Sequence, residues 1–365
     1  MYTNGVSFCS SDGRRLLGPV YKRLPSLLTE ADLDLLPGFC IVYMTSKICP
    51  SCHIDLPSLK TVEAMTGARF TPRDIPDFSD QVIIVTGGNA GLGLETIKQL
   101  RRHNPQRIYL AARSREKGEA AIKNLEKSEP NAAPVSFLEL DLASFASIKS
   151  AAARIMSSES RLDILINNAG IMMVPEGLTE DGYEIQFGTN VLGPALFSQL
   201  LLPLVQKTVD VNPQSRIVFL ASASEKVAPS DVYQFDELKT TIGHRRTTAR
   251  YTQSKLANIH YACALAERHK GIKIIPVHPG MVATNLHHNS TGFFLKPFLN
   301  SAILFATPVE KGALSQIWAS VSPDAKSGVF YGPVGVVANA SAASKDHALQ
   351  EKLFEWVQQQ IRPHI

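Results

Sequence analysis

From about residue 80 the chain alternates short, uniformly apolar runs with longer segments whose apolar positions recur every three to four residues. VIIVT (82–86), IYLAA (108–112), VSFLEL (135–140), LDILIN (162–167), RIVFLA (216–221) and IKIIPV (272–277) are β-branched-rich and apolar on both faces. That pattern predicts strands of a parallel sheet covered on both sides. Between them, ETIKQLRRH, SREKGEAAIKNLEK, FASIKSAAARIM, a long segment over 183–206 and YTQSKLANIHYACALAERH carry helical periodicity. A further helix is predicted from Thr307-Pro308-Val309-Glu310, with Thr307 as cap, Pro308 in the first turn and Glu310 reaching back. The fold class that follows is α/β, a Rossmann-type doubly wound parallel sheet of six or seven strands. No internal repeat is visible.

Residues 1–70 do not share this pattern. They mix short apolar runs with Pro, Gly and Ser and read as an unassigned N-terminal extension, leaving 71–365 as a single domain. Met65 stands shortly before PRDIPDFSDQVIIVTGG, which suggests translation starting there, with residues 1–64 as a gene-model extension. The intact mass of natively expressed protein decides this.

Composition narrows the function classes. With 365 residues, 44% hydrophobic and 19% charged, the chain can bury a large core. Its net charge of +4 is interleaved rather than clustered, which argues against nucleic acid as a partner. Five cysteines (Cys9, Cys40, Cys49, Cys52, Cys263) and no secretory leader point to a reducing, cytoplasmic location. The apolar stretches at 35–44 and 292–306 are too short or too interrupted to span a bilayer, although the second could contact a membrane surface.

Directly after VIIVT comes TGGNAGLG. Gly87, Gly91 and Gly93 allow a sharp turn and close backbone approach to a pyrophosphate, which the N-terminus of the next helix can bind. Placed between the first strand and first helix, the loop predicts dinucleotide binding. The second strand ends in Arg113, with Arg115 and Lys117 close behind, a basic environment that suits the 2′-phosphate of NADP(H) better than the bare ribose of NAD.

Two tyrosines are followed four residues later by lysine, in YMTSK (43–47) and YTQSK (251–255). Tyr43 belongs to no strand–helix unit. Tyr251 and Lys255 share a helix face, so an ammonium stands near a phenol whose unperturbed pKa of about 10 is high for proton exchange at neutral pH, and is expected to lower it.

In order and register, these motifs resemble the short-chain dehydrogenase/reductase family over roughly residues 78–335. LAARSREKG and YTQSKLANI are most similar to its retinol-dehydrogenase-like, WW-domain-oxidoreductase-like and protochlorophyllide-reductase-like branch. The resemblance implies a cofactor contact set of Gly87, Asn89, Gly91, Leu92, Gly93, Arg113, Asp141, Leu142, Asn168, Ala169, Gly170, Tyr251, Lys255, Pro279, Gly280, Val282 and Thr284. Within it Asp141 meets the adenine, NNAG (167–170) lines the cofactor, and HPGMVATNL grips the nicotinamide half. It further implies catalysis by Asn190, Ser222, Tyr251 and Lys255: Tyr251 as general acid/base, Ser222 orienting the carbonyl, Asn190 holding a relay water. Ser224 leaves open which serine contacts substrate, with Ser222 preferred. The 28 residues between Ser222 and Tyr251 form an insertion expected to shape the pocket mouth.

Other signals read as bland. CPSCH (49–53) lacks the second ligand pair of a zinc site, and no metal is expected. His278 reads as a satisfied core histidine. The sequons at Asn289 and Asn339 matter only in a secretory protein. The 292–306 stretch is expected to be a substrate lid, and its Phe and Leu imply an apolar substrate. The expected function is NADP-dependent interconversion of a ketone or aldehyde and an alcohol on an apolar small molecule. The alternative is a catalytically idle NADP-sensing protein. The same resemblance implies a homodimer through the helices around 183–206 and 250–269.

Overall fold

A computed structural model describes residues 70–282 and 306–365. Six strands form one sheet: β1 (Val82–Thr86), β2 (Arg107–Ala112), β3 (Val135–Glu139), β4 (Ile164–Asn167), β5 (Arg216–Leu220) and β6 (Lys273–Val277). Their order is β3-β2-β1-β4-β5-β6, and every pairing is parallel. The order reverses between β1 and β4, which opens a crevice above their carboxyl ends.

Successive residues of β1 serve opposite faces. Val82 and Ile84 join a core with Leu165, Ile217 and Phe219, while Ile83 and Val85 join another with Ile108, Ile166 and Val218. Each fully buried aliphatic side chain contributes about 1.5–3 kcal/mol, so a doubly covered strand has to be apolar throughout. Helices α1 (Gly91–Leu100), α2 (Arg115–Ser128) and α6 (Val309–Val321) cover the second face; α3 (Phe145–Ser158), α4 (Gly193–Val209), α5 (Thr247–Arg268) and α7 (His347–Ile361) cover the first.

Three elements refine, correct or add to the sequence reading. The long helix expected over 183–206 is present as one continuous helical run, Ile185–Val209, in which a first α turn (Ile185–Phe187) passes through a π turn (Gly188–Leu192) into α4. Gly193 lets this segment approach β3's exit closely: a Cβ there would stand 2.5 Å from the Leu142 carbonyl oxygen. Helix α6 begins at Val309 with Pro308 as its N-cap and no side-chain cap bond. Thr307 lies one position before the cap, where its amide donates to the Met281 carbonyl at 2.8 Å in a short parallel bridge between Val282 and Thr307. Helix α7 was not foreseen, although Asp346 caps it and Leu353, Val357 and Ile361 are buried at helical spacing.

Helix α7 packs on α5 and on the insertion. Phe354 stacks on Tyr261 at 5.5 Å between ring centres, and Trp356 stacks on Phe235 at 5.4 Å. Part of the helical face suggested for self-association is therefore covered by the chain's own C-terminus. The segment Ile185–Val209 has the length and apolarity of a membrane span, but most of it is buried inside this fold. Tyr43, CPSCH, Met65, Thr284, Asn289 and most of the 292–306 stretch lie outside the described residues.

Candidate active site

The glycine loop is shaped by sterics that only glycine satisfies. Gly87 and Gly91 have φ of +65° and +54°, and a Cβ on Gly93 would stand 2.4 Å from the Gly87 carbonyl oxygen. Ala90 is the N-cap of helix α1 and makes no side-chain cap bond, and the helix has no acidic residue in its first turn. Its first amides are free to meet an anion, so this cradle fits the pyrophosphate of a dinucleotide. Asn89 and Leu92 are partly buried in the same loop.

Across the crevice, Asn168 donates to the Thr86 carbonyl at 2.7 Å, and the Ala169 amide donates to Thr86 Oγ1 at 2.9 Å. These bonds clamp the β4 exit onto β1. Gln316 on α6 donates to Thr96 Oγ1 at 2.6 Å and to Asn168 Oδ1 at 3.3 Å, tying α1 to the same asparagine. At the β3 exit, Asp141 Oδ1 accepts the Ala143 amide at 2.9 Å.

The basic residues after β2 divide. Arg115 is committed to Glu139 at 2.9 Å and Glu119 at 3.3 Å. Arg113 is exposed and has no ion pair or hydrogen bond with the described residues. Of these two arginines, Arg113 is the one free to meet a phosphate.

The remaining groups converge where β4 and β5 end. Helix α5 places Tyr251, Lys255 and Asn258 along one face at four- and three-residue spacing. Lys255 Nζ donates to the Leu220 carbonyl at 3.0 Å, and Asn258 Nδ2 donates to the same oxygen at 3.1 Å. The last carbonyl of β5 thereby fixes the register of α5. The Lys255 ammonium lies 5.8 Å from the centre of the Tyr251 ring.

Asn190 sits in the π turn, 1% exposed. It exchanges two bonds with Ile171: its Nδ2 donates to the carbonyl at 2.9 Å, and its Oδ1 accepts the amide at 2.8 Å. A second Nδ2 bond reaches Ser254 Oγ at 3.0 Å. Gly170 leaves the gap between these groups open, since a Cβ there would stand 3.2 Å from Asn190 Oδ1 and 3.5 Å from Lys255 Nζ.

Ser222 stands two residues beyond the end of β5. Its Oγ accepts the Ser224 amide at 3.1 Å, and its hydroxyl acts to lower the Tyr251 phenol pKa. Ser224 Oγ is buried with no hydrogen-bond partner among the described residues. Of the two serines, Ser222 is the one coupled to Tyr251.

One electrostatic expectation is not met. Burial pushes the Tyr251 phenol up to about 12, with the Ser222 bond only partly opposing it. Burial also brings Lys255 down to about 8. Desolvation disfavours both charged forms, and within the protein it outweighs any lowering of the phenol by its cationic neighbour.

At the β6 exit, Gly280 has φ +82°, and its amide donates to His278 Nδ1 at 3.2 Å. Pro279 and Val282 continue this turn, and Val282 packs against Gly312 of α6. His278 is only partly buried, and burial holds its ring down to about 4, hence neutral. The insertion's Gly243–Arg246, with Pro175, Glu176, Thr247 and Arg250, lines a surface cavity of about 610 Å³. Tyr251, Lys255 and Ser222 do not line that cavity.

The crevice, glycine cradle and Ser–Tyr–Lys cluster define a dinucleotide-binding α/β oxidoreductase. The family model for short chain dehydrogenases matches residues 81–234. A short-chain dehydrogenase/reductase of Armillaria gallica is 37% identical over 304 residues, covering 81% of this chain and 95% of that protein. Human retinol dehydrogenase 14 is 36% identical over 271 residues, covering 69% and 78%. The crystal structure of an uncharacterised protein from Mycobacterium paratuberculosis superposes with a TM-score of 0.63 at 27% identity, covering 80% of this chain and 97% of that one. The chain belongs to the short-chain dehydrogenase/reductase family, in its retinol-dehydrogenase-like branch.

Ser254, Asn258 and Gln316 were missed from sequence. Ser254 and Asn258 lie three and seven residues after Tyr251, a helical spacing that could have flagged them. Gln316 carries no local signal, because its partners lie 148 and 220 residues away.

Proposed function

We propose that this oxidoreductase uses NADP(H) to interconvert an aldehyde or ketone and the corresponding alcohol on an apolar small molecule. The observation that carries the reading is the convergence of Ser222, Tyr251, Lys255 and Asn190 on the crevice that faces the Gly87–Gly93 loop. Arg113, unpaired at the end of β2, supports NADP over NAD. The likeness to retinol dehydrogenase 14, whose name gives an apolar alcohol as substrate, supports the apolar class.

When bound, the dinucleotide supplies or accepts the hydride. The Gly87, Gly91 and Gly93 loop with Asn89 and Leu92 would hold its pyrophosphate; Asp141, Leu142, Asn168, Ala169 and Gly170 would line its adenosine side and centre. Pro279, Gly280 and Val282 would hold the nicotinamide end. In reduction, the Tyr251 hydroxyl gives its proton to the substrate oxygen, and Ser222 Oγ–H donates to that same oxygen, stabilising the charge that develops there. The raised phenol pKa keeps Tyr251 protonated at neutral pH, the state that reduction requires. Lys255, protonated below about 8, supplies the cation that favours proton loss from Tyr251. Asn190 Nδ2 already donates twice, to Ile171 and Ser254, so a relay water held by Asn190 would donate to one of its oxygens.

The test is NADPH oxidation by the full chain against a panel of aldehydes, ketones and quinones that includes retinal. Expected are turnover by an apolar carbonyl compound and, for Tyr251→Phe, intact NADPH binding with turnover lost. NADPH binding without oxidation across the panel would instead mark a sensor, and undiminished turnover by Tyr251→Phe removes the proposed acid.

A further inference from the structure

Glu225 is 1% exposed, three residues beyond Ser222, and nothing in the proposed reaction uses it. A buried carboxylate is costly unless its lone pairs are filled. Here they are filled from far along the chain. The Ser341 amide donates to Oε1 at 3.1 Å, and the Ser341 and Ser344 hydroxyls donate to Oε2 at 2.5 Å each. Ser344's amide in turn donates to Ser341 Oγ at 3.0 Å, so segment 341–344 is folded around the carboxylate. The same segment is pinned to α5, because the Ala343 carbonyl meets His260 Nε2 at 2.9 Å.

Glu225 belongs to the single 3₁₀ turn Ala223–Val227, whose N-cap is Ser222. Its own amide donates back to the Ser222 carbonyl at 3.2 Å. The turn has few bonds of its own, and isolated 3₁₀ turns are weak elements. What holds it at a fixed height above β5 is the Glu225 carboxylate. The segment that grips Glu225 is bonded to the helix carrying Tyr251 and Lys255. One bracket therefore spans both sides of the Ser222–Tyr251 pair.

We propose that Glu225, held by Ser341 and Ser344, is a positioning residue that sets Ser222 against Tyr251, making the C-terminal segment 341–344 part of the reaction-centre support. The inference rests on the role of Ser222 given under Proposed function. It predicts that loss of the bracket is felt through Ser222 and not through the cofactor cradle.

The test is a double-mutant cycle on the full chain with Ser222→Ala, Ser344→Ala and their combination, using a carbonyl compound that supports NADPH oxidation. Ser344→Ala removes one hydroxyl and leaves the carboxylate two donors. Expected is a fall in kcat/KM for the carbonyl of roughly five- to thirtyfold with unchanged NADPH affinity, and no further loss when Ser222 is already Ala. Glu225→Gln, which keeps shape and one acceptor, should fall between wild type and Ser344→Ala. Losses that multiply in the double variant, a fall in NADPH affinity matching the fall in turnover, or wild-type kinetics for both Ser344→Ala and Glu225→Gln overturn the bracket. Full turnover by Ser222→Ala sinks the serine's assigned role instead, an outcome read from a different variant.

Discussion

Lys255 and Tyr251 are held to one geometry by a carbonyl neither of them carries: Leu220 O, at the end of β5, accepts the Lys255 ammonium at 3.0 Å while that ammonium lies 5.8 Å from the Tyr251 ring centre. The pair is almost wholly buried, at 5% and 6% exposure. Burial opposes charge on both, so the protein sets a neutral phenol beside a cation that is easily lost.

That relationship fixes a pH dependence. Lys255 titrates at about 8, and the proposed reduction uses its charge, so kcat for carbonyl reduction should fall as pH rises through about 8. Lys255→Met should lose turnover by about two orders of magnitude and flatten this limb. The stability consequence runs the other way. Between pH 8 and the unfolded lysine value of about 10.4 the unfolded chain binds a proton that the folded chain does not, so this group makes stability rise with pH across that window. Denaturant titrations at pH 8 and 9.5 measure it, and an equal slope in Lys255→Met would dismiss the assignment.

Cofactor choice is predicted from Arg113. Because Arg115 is occupied by Glu139 and Glu119, Arg113→Ala should weaken NADPH binding roughly tenfold, a charged hydrogen bond being worth about 1.5–3 kcal/mol before solvent screening. NADH affinity should stay level, and Arg115→Ala should change neither by much. Fluorescence titration at low and high salt reads this, since an exposed contact is screened. Equal losses for both cofactors would remove the 2′-phosphate argument.

Much of this was legible in advance because the chemistry is local. VIIVT, IYLAA and RIVFL have to be apolar on both faces in a covered parallel sheet, and TGGNAGLG needs glycines where backbone crosses backbone. What was not legible depends on tertiary burial. The direction of the Tyr251 pKa follows from desolvation that the i, i+4 spacing cannot report. The division of labour between Arg113 and Arg115 depends on Glu139, an acid on another strand. The π turn at Gly188–Leu192 interrupts a segment whose apolar period is uninterrupted, and the bond from Asn190 to Ser254 spans 64 positions.

The loop's glycines make a separable prediction. A methyl at position 93 would meet the Gly87 carbonyl oxygen at 2.4 Å and Asn168 Nδ2 at 2.6 Å, both parts of the cradle itself. Gly93→Ala should therefore abolish detectable NADPH binding while the fold persists, because the clash displaces the loop and not the sheet. Circular dichroism with a cofactor titration distinguishes the two. Binding within a few-fold of wild type would mean that the dinucleotide does not use this turn.

Glu184 and Arg250 form an ion pair at 3.0 Å with side chains 0% and 3% exposed, directly before the helix position of Tyr251. Glu184 Oε2 also accepts the Phe187 amide at 2.6 Å, so it caps the turn that leads into Asn190. Burial raises the Glu184 pKa in spite of these partners, a sign that the pair is held at a desolvation cost. Removing one partner leaves the other charge buried and alone, which costs about 3–5 kcal/mol, whereas removing both costs less. Glu184→Ala should thus lower stability by about that amount, and Glu184→Ala with Arg250→Met should recover part of it. Turnover should not recover in parallel, because the cap on the Asn190 turn is still missing. Chemical denaturation and kcat measured on the same three proteins separate these effects; full recovery of both in the double variant would reduce the pair to a packing element with no bearing on the reaction centre.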